Sequence, residues 1–147
     1  MQSPISSRRR IPLLVSDIMS KPPAVIPESG LLVEAAKIMH EREIGSVIVV
    51  DKGGRVRGIV TERDVVAAIA HGFDPKSTRV WEVMTENPAI IRENERVSAA
   101  LERISESGVR HLPVVDENGR PVGVVSFRDI ANLILVLMDM GVIHPSV

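Results

Sequence analysis

Two four-residue segments place a hydroxyl, an arginine and an aspartate at the start of a predicted helix. They are Thr61-Glu62-Arg63-Asp64 and Ser126-Phe127-Arg128-Asp129. A hydroxyl followed three residues later by an acid is the pattern of a capping box, in which each side chain bonds the backbone N–H beside the other. An arginine in the first turn opposes the helix dipole, so its presence in both segments indicates an ion pair or a bound anion.

A further pair of polar residues, Arg110 and His111, begins a predicted strand that continues to Val115. Two interpretations stay open for them. Either one side chain faces solvent and the other packs, as strand alternation dictates, or both neutralise a bound anion.

The elements that must position these residues occur twice. When the chain is shifted by 65 residues, 15–70 lies on 80–135 without a gap, and 18 of the 56 aligned positions are identical. The densest match pairs Val49-Val50-Asp51 with Val114-Val115-Asp116. Two copies are too few for a solenoid, so we expect a closed two-fold pair.

Each copy has the same predicted order, β-α-β-β-α, which gives an α/β (α+β) fold of two packed repeats. Leu32, Ala35, Ala36 and Met39 follow helical spacing, and their counterparts in the second copy do the same. Glycine-containing turns join the second and third elements of strand character, which predicts a hairpin in each copy.

The predicted boundaries are an N-terminal tail at 1–14, repeat 1 at 15–71, a linker at 72–79, repeat 2 at 80–140 and a C-terminal tail at 141–147. Both tails are too short for an effector domain, so we expect the pair to stand alone. Arg8-Arg9-Arg10 is interpreted as a solvated tail, with weak attachment to nucleic acid or an acidic partner as the alternative.

Composition excludes several classes of function. Lys and Arg number 18 against 19 Asp and Glu, and only 2% of residues are aromatic, so a nucleic-acid partner is not expected. Cysteine is absent, and the histidines have no ligand-like spacing, so no metal site is expected. Without an apolar stretch of about 20 residues or a signal sequence, we expect a cytoplasmic protein that does not enter the membrane.

The final predicted helix, from Ile130 to Met140, is apolar on nearly every face. Such a helix must be covered on every face. We expect a second subunit to cover it, giving a homodimer through the C-terminal helix; the alternative is that the helix folds back onto repeat 1.

The segments Gly58–Asp64 and Gly123–Asp129 resemble the Gly-h-h-Thr/Ser-x-x-Asp signature of CBS domains, where h is hydrophobic. Val109–Asp116 is similar to the strand before that signature, and Asp17–Ser20 and Glu82–Thr85 to the segment that leads into the domain. The resemblance covers Val15–Met138. Repeat 1 departs from it at Ser46-Val47-Ile48, which lacks the Arg-His and the proline.

The resemblance implies a tandem CBS pair, or Bateman module, that does no chemistry. It would bind an adenosine derivative such as AMP, ADP or ATP as a regulatory ligand and signal to a separate effector protein. S-adenosylmethionine or NAD is an alternative ligand, and a structural dimeric scaffold with degenerate sites is an alternative function.

The resemblance also implies two clefts. The first would combine the ribose-binding Asp64, with Thr61 and Arg63, with Ile91, Val109, Arg110 and His111 of the other repeat. The second would combine Asp129, with Ser126 and Arg128, with Ile26, Ile44, Gly45 and Ser46. Because Arg110 and His111 can both bind phosphate, we expect the first cleft to be the tighter one.

Overall fold

The computed structural model describes residues 14–143. The tail that carries Arg8–Arg10 and the end of the chain from His144 lie outside these residues. The first half contains α1 Val15–Ile18, β1 Val25–Pro27, α2 Leu32–Arg42, β2 Ser46–Val50, β3 Val56–Thr61 and α3 Glu62–Ala70.

The second half repeats this order after a short 3-10 helix at Val80–Glu82. It contains β4 Thr85–Glu86, β5 Ile91–Arg92, α4 Val97–Ser107, β6 His111–Val115, β7 Pro121–Ser126 and α5 Phe127–Asp139. The predicted mixed fold of two β-α-β-β-α repeats is therefore confirmed.

The strands form two sheets. One has the order β1-β2-β3-β4 and the other the order β5-β6-β7. In each sheet the first strand pairs parallel with the second, and the second pairs antiparallel with the third through a hairpin. Gly54 and Gly119 supply the positive φ of the two hairpin turns, at 79° and 78°.

The two hairpins also touch each other. The Val56 N–H donates to the Gly119 carbonyl at 3.0 Å, and Arg120 Nε donates to the Gly53 carbonyl at 3.2 Å. The counterpart of Val56 in the second repeat is Pro121, which has no N–H. The first of these bonds therefore cannot be made in the reciprocal direction.

The segments that lead into the repeats are exchanged between them. Val15 is fully buried in the core of the second repeat, and Ser20 makes paired backbone hydrogen bonds with Val124 of β7. Conversely, Val80 is buried in the core of the first repeat, and β4 pairs with β3. Repetition in the sequence did not predict this exchange, because periodicity does not say which copy a segment packs on.

Helix α5 is covered on one side by the second core, to which α1 of the first half also contributes. Its buried residues Ile130 and Leu133 belong to the second core, and the helix packs on α4, β7 and α1. Its opposite side is open: Leu135 is 58% exposed, next to the exposed Ile134 and Val136. Within residues 14–143, α5 is therefore not covered on every face, and the element of repeat 1 on which it packs is the short helix α1.

Candidate functional site

Both predicted capping boxes are formed. In α5, the Ser126 N–H donates to Asp129 Oδ2 at 2.8 Å and the Asp129 N–H donates to Ser126 Oγ at 3.1 Å. In α3, the Thr61 N–H donates to Asp64 Oδ2 at 2.8 Å, and the Asp64 N–H to Thr61 Oγ1 at 3.3 Å. In both helices only one carboxylate oxygen accepts these N–H bonds, which leaves Oδ1 for another donor.

The N-terminus of α5 opens into a cleft of about 570 Å³ between the two repeats. This volume lies in the range of roughly 300–1,000 Å³ that small-molecule sites occupy. The second repeat supplies Arg110, His111, Val124 and 126–129. The first supplies 20–24, at the start of β1, and 42–46, between α2 and β2, together with Glu62.

Two backbone hydrogen bonds place the strand starts against the helix starts. The Phe127 N–H donates to the Arg110 carbonyl at 2.8 Å, and in the first repeat the Glu62 N–H donates to the Gly45 carbonyl at 3.1 Å. His111 is the register partner of Ser126, and Ser46 is that of Thr61. Each strand start thus lies beside the capping box of its own repeat.

The ring of His111 reaches across to the first repeat. A β-carbon on Gly45 would lie 3.0 Å from His111 Nε2 and 3.3 Å from Cε1. Glycine at this position therefore leaves the space that the imidazole fills. The counterpart of Gly45 in the second repeat is Arg110, so the two repeats differ in size and charge here.

The cleft contains charges of both signs. The cations are Lys21, Arg42, Arg110 and Arg128, and the carboxylates are Glu43, Glu62 and Asp129. Burial of the imidazole lowers the pKa of His111 below its ordinary value, against the raising effect of Glu62 and Asp129. With His111 neutral, the four cations and three carboxylates leave the cleft with a net charge of +1.

The rim of the cleft is held by the end of α2. Arg42 Nη2 donates to the Pro22 carbonyl at 2.9 Å, which ties the loop before β1 to the helix. Glu43 follows in the left-handed conformation, at φ 53°, where the second repeat has Gly108 at φ 70°. A non-glycine residue at positive φ is uncommon, and such residues occur preferentially at functional positions.

The structure corrects the predicted partition of residues between the clefts. Arg110 and His111 were assigned to the cleft of Asp64, but they line the cleft of Asp129. The reason is strand register, because His111 pairs with Ser126 in its own repeat. Ile44, Gly45 and Ser46 line the cleft of Asp129.

The structure also places Ile26, expected in the Asp129 cleft, away from that cleft. It is 3% exposed and fills the first core, because β1 alternates and turns Val25 and Pro27 outward. Ala24 lines the cleft in its place. In the second repeat, Ile91 is buried and Val109 half-buried, and both pack in the second core. Thr61, Arg63 and Asp64 lie outside the set that lines this cleft.

Several cleft residues were not predicted: Lys21, Pro22, Pro23, Ala24, Arg42, Glu43, Glu62 and Phe127 among them. The segment before β1 carried a signal, since Pro22-Pro23 interrupts regular structure just ahead of a strand. Glu62 carried a weaker one, as the neighbour of a capping hydroxyl. For Arg42 and Glu43, the end of a helix gave no sign of a site.

Two features are absent from residues 14–143. No helix in that range is long and apolar enough to cross a membrane. No cluster of three or more His, Asp or Glu side chains in the same range could hold a metal ion.

The cleft thus lies between two β-α-β-β-α repeats, and the capped start of α5 opens into it. The CBS domain model matches the chain twice, at residues 15–71 and 80–136. The chain therefore belongs to the CBS domain family and is a tandem CBS pair.

Two curated proteins are similar in sequence to most of this chain. An uncharacterized 17.7 kDa protein of Acidianus ambivalens is 40% identical over 132 residues, which are 90% of this chain and 79% of that protein. The L-aspartate semialdehyde sulfurtransferase of Methanocaldococcus jannaschii is 36% identical over 133 residues, but the match spans only 24% of that enzyme.

Solved structures agree in fold. The CBS domain pair of protein MJ0100, in complex with 5′-methylthioadenosine and S-adenosyl-L-methionine, is 34% identical, with a TM-score of 0.78 over 84% of this chain and 96% of that one. The CBS domain protein PAE2072 from Pyrobaculum aerophilum, complexed with AMP, is 25% identical, with a TM-score of 0.79 over 88% and 99% of the two chains.

Proposed function

We propose that this chain is a regulatory module that binds an adenine nucleotide in the cleft at Asp129 and signals its occupancy to a separate protein. The observation that carries the proposal is the capped start of α5, which faces cations from both repeats across a cleft of about 570 Å³. The AMP complex of the Pyrobaculum protein supports the choice of ligand.

Asp129 takes the ribose in this proposal. One carboxylate oxygen caps the helix, and the other is free to accept from the cis hydroxyls of a ribose. The helix N-terminus beside it favours the negative charge of a phosphate. Ser126 holds the cap, and Ile44 and Ala24 provide apolar walls for the base.

Arg110, His111 and Arg128 bind the phosphate. Arg110 and Arg128 line the cleft with the capped helix start, and His111 is the register partner of Ser126. A charge-assisted hydrogen bond is worth about 1.5–3 kcal/mol, so a single arginine changes affinity by roughly ten- to a hundredfold.

The position at Asp64 is a weaker site. Its capping box matches that of α5, and Thr61, Arg63 and the half-buried Val109 are its candidate contacts. Because the two unique donors Arg110 and His111 face the other cleft, the Asp64 side relies on Arg63 for phosphate. We therefore expect unequal sites, with the Asp129 site the tighter, or the Asp64 side left empty.

S-adenosylmethionine is the second candidate ligand. The CBS pair of MJ0100, at 34% identity, was crystallised with S-adenosyl-L-methionine and 5′-methylthioadenosine. The carboxylates of Glu43 and Glu62 line the same cleft and would favour a sulfonium or an ammonium group.

Occupancy would be transmitted by a change in the angle between the repeats, since both supply walls of the cleft. Two copies associate through the open side of α5, where Ile134, Leu135 and Val136 are exposed. The module carries out no reaction itself, and its effector is a separate protein. A structural scaffold with degenerate sites is the contrasting function.

The test is calorimetry and thermal shift with AMP, ADP, ATP, S-adenosylmethionine and NAD, with GMP as the control. A ligand that binds only the folded state raises its stability by about 2.7 kcal/mol at a hundredfold excess over Kd. Binding of an adenine nucleotide but not of GMP is expected. Preference for S-adenosylmethionine over all nucleotides would favour the second candidate, and no binding at all would favour the scaffold.

A further inference from the structure

The cleft at Asp129 is lined by one side chain that can change charge near neutral pH, that of His111, and two carboxylates of the cleft lie near enough to stabilise its charged form. His111 is half-buried, with its ring against Gly45 of the first repeat. Glu62 of α3 and Asp129 of α5 both stabilise its charged form, and Arg110, the residue just before its strand, destabilises it.

The remaining charges of the cleft lie on other elements that face this space. They are Lys21 before β1, Arg42 and Glu43 at the end of α2, and Arg128 in the first turn of α5. In the protein without ligand, burial lowers the pKa of His111, so the imidazole is largely neutral at pH 7.5.

A phosphate placed in this cleft would meet a neutral imidazole and the carboxylate of Glu62. A carboxylate within the cleft repels a phosphate, and a protonated imidazole would compensate that repulsion and donate a charged hydrogen bond. An adenosine ligand without a phosphate offers no such negative charge. The free energy needed to protonate His111 is therefore offset only when the ligand carries a phosphate.

We infer that His111, in the space left by Gly45 and near Glu62, is the residue that makes the cleft select phosphorylated over unphosphorylated adenosine ligands, by taking up one proton on binding. This inference rests on the proposed function and specifies its ligand. Its geometry has no counterpart in the other repeat, where Ser46 replaces the histidine and Phe127 replaces Glu62.

The experiment is calorimetry with the full chain at pH 7.5, with AMP and with uncharged 5′-methylthioadenosine. Buffers of different ionisation enthalpy report the protons taken up. The phosphate of AMP has a second pKa of about 6, so it contributes little to proton uptake at this pH. We expect the chain to take up nearly one proton when AMP binds and close to none when 5′-methylthioadenosine binds. The affinity for AMP should fall by up to about tenfold per pH unit above pH 7.5.

His111→Gln should abolish proton uptake and lower the affinity for AMP by about ten- to a hundredfold. The affinity for 5′-methylthioadenosine should change by less than about twofold. His40→Gln, on the exposed surface of α2, is the matched control and should behave as wild type. Gly45→Ala is a second variant, since its β-carbon would press on the imidazole without removing it. Gly45→Ala should also lower the preference for AMP over 5′-methylthioadenosine.

AMP binding without proton uptake would overturn the inference and leave the proposed function standing. So would equal losses for both ligands in His111→Gln. Failure of the wild-type chain to bind either ligand would instead overturn the proposed function, and the inference with it.

Discussion

Gly58 of β3 and Met84 lie so close that no other residue fits at position 58. A β-carbon there would approach Met84 Sδ to 2.5 Å and the Thr85 carbonyl oxygen to 2.8 Å. The thioether could move aside, but the carbonyl belongs to β4, which pairs with β3 at this point. The glycine is therefore required for the leading segment of the second repeat to join the first sheet.

Gly58→Ala should accordingly destabilise the chain by about 1–3 kcal/mol, because β4 must shift away from β3. Urea unfolding measures the effect. Gly53→Ala is the control, since Gly53 lies in an exposed turn and its β-carbon would meet only the Asp51 carboxylate, at 3.3 Å. Equal stability of the two variants would show that β4 is not held in this way.

Asp129→Ala should weaken AMP binding by at least about tenfold, since the carboxylate that would hold the ribose is lost. Loss of the capping acid should cost no more than about 1 kcal/mol of stability. Calorimetry and urea unfolding measure the two effects separately. Asp64→Ala removes the same cap from α3 and should leave the tighter site nearly intact; a larger loss of affinity in Asp64→Ala would reverse the assignment of the sites.

Leu135→Asp should convert the expected dimer into a folded monomer. Leu135 is 58% exposed in the single chain, so a charge there disrupts only an interface. Leu133→Ala is the contrasting variant: Leu133 is 9% exposed in the second core, and its truncation should cost about 2–5 kcal/mol. Light scattering combined with circular dichroism separates the cases, and a wild-type monomer at micromolar concentration would exclude the interface.

The Glu95–Arg103 pair should make part of the stability depend on pH. Arg103 donates to both oxygens of Glu95, at 2.6 and 2.9 Å, and also to the Ile90 carbonyl at 3.0 Å. The Arg103 hydrogen bond holds the pKa of Glu95 below its ordinary value of 4.5. A lowered folded-state pKa means that this stabilisation is present above pH 4.5 and is lost as the pH falls through the folded-state value.

Glu95→Gln should thus cost about 0.5–1 kcal/mol at pH 7, a modest value because both side chains are about one-third exposed. The difference from wild type should shrink when unfolding is measured near pH 3. Glu93→Gln, an exposed neighbour, is the control. A difference that stays constant between pH 7 and pH 3 would contradict the role of this ion pair.

Local chemistry was predictable where it depends on neighbours in sequence. The capping boxes at Asp64 and Asp129 and the glycine turns at Gly54 and Gly119 depend on residues at most three positions apart. Their geometry therefore follows from residue type. The repeat itself followed from identities at a constant spacing.

Contacts between the repeats were not predictable in the same way. The cleft position of His111 depends on strand register and on a missing side chain at Gly45, which lies 66 residues earlier in the chain. Likewise, the hydrophobic pattern of α5 showed that Leu133 and Leu135 are apolar, but not that one fills the core and the other faces outward.

Because the leading segments are exchanged, the two repeats should unfold as a single unit. Val15 completes one core and Val80 the other, so releasing either segment opens a hole in the repeat to which it does not belong by sequence. The arrangement is a domain swap closed within one polypeptide. A chain cut in the linker should therefore yield two fragments that fold only together, and a fragment containing one repeat alone should recruit a second copy of itself to supply the missing segment.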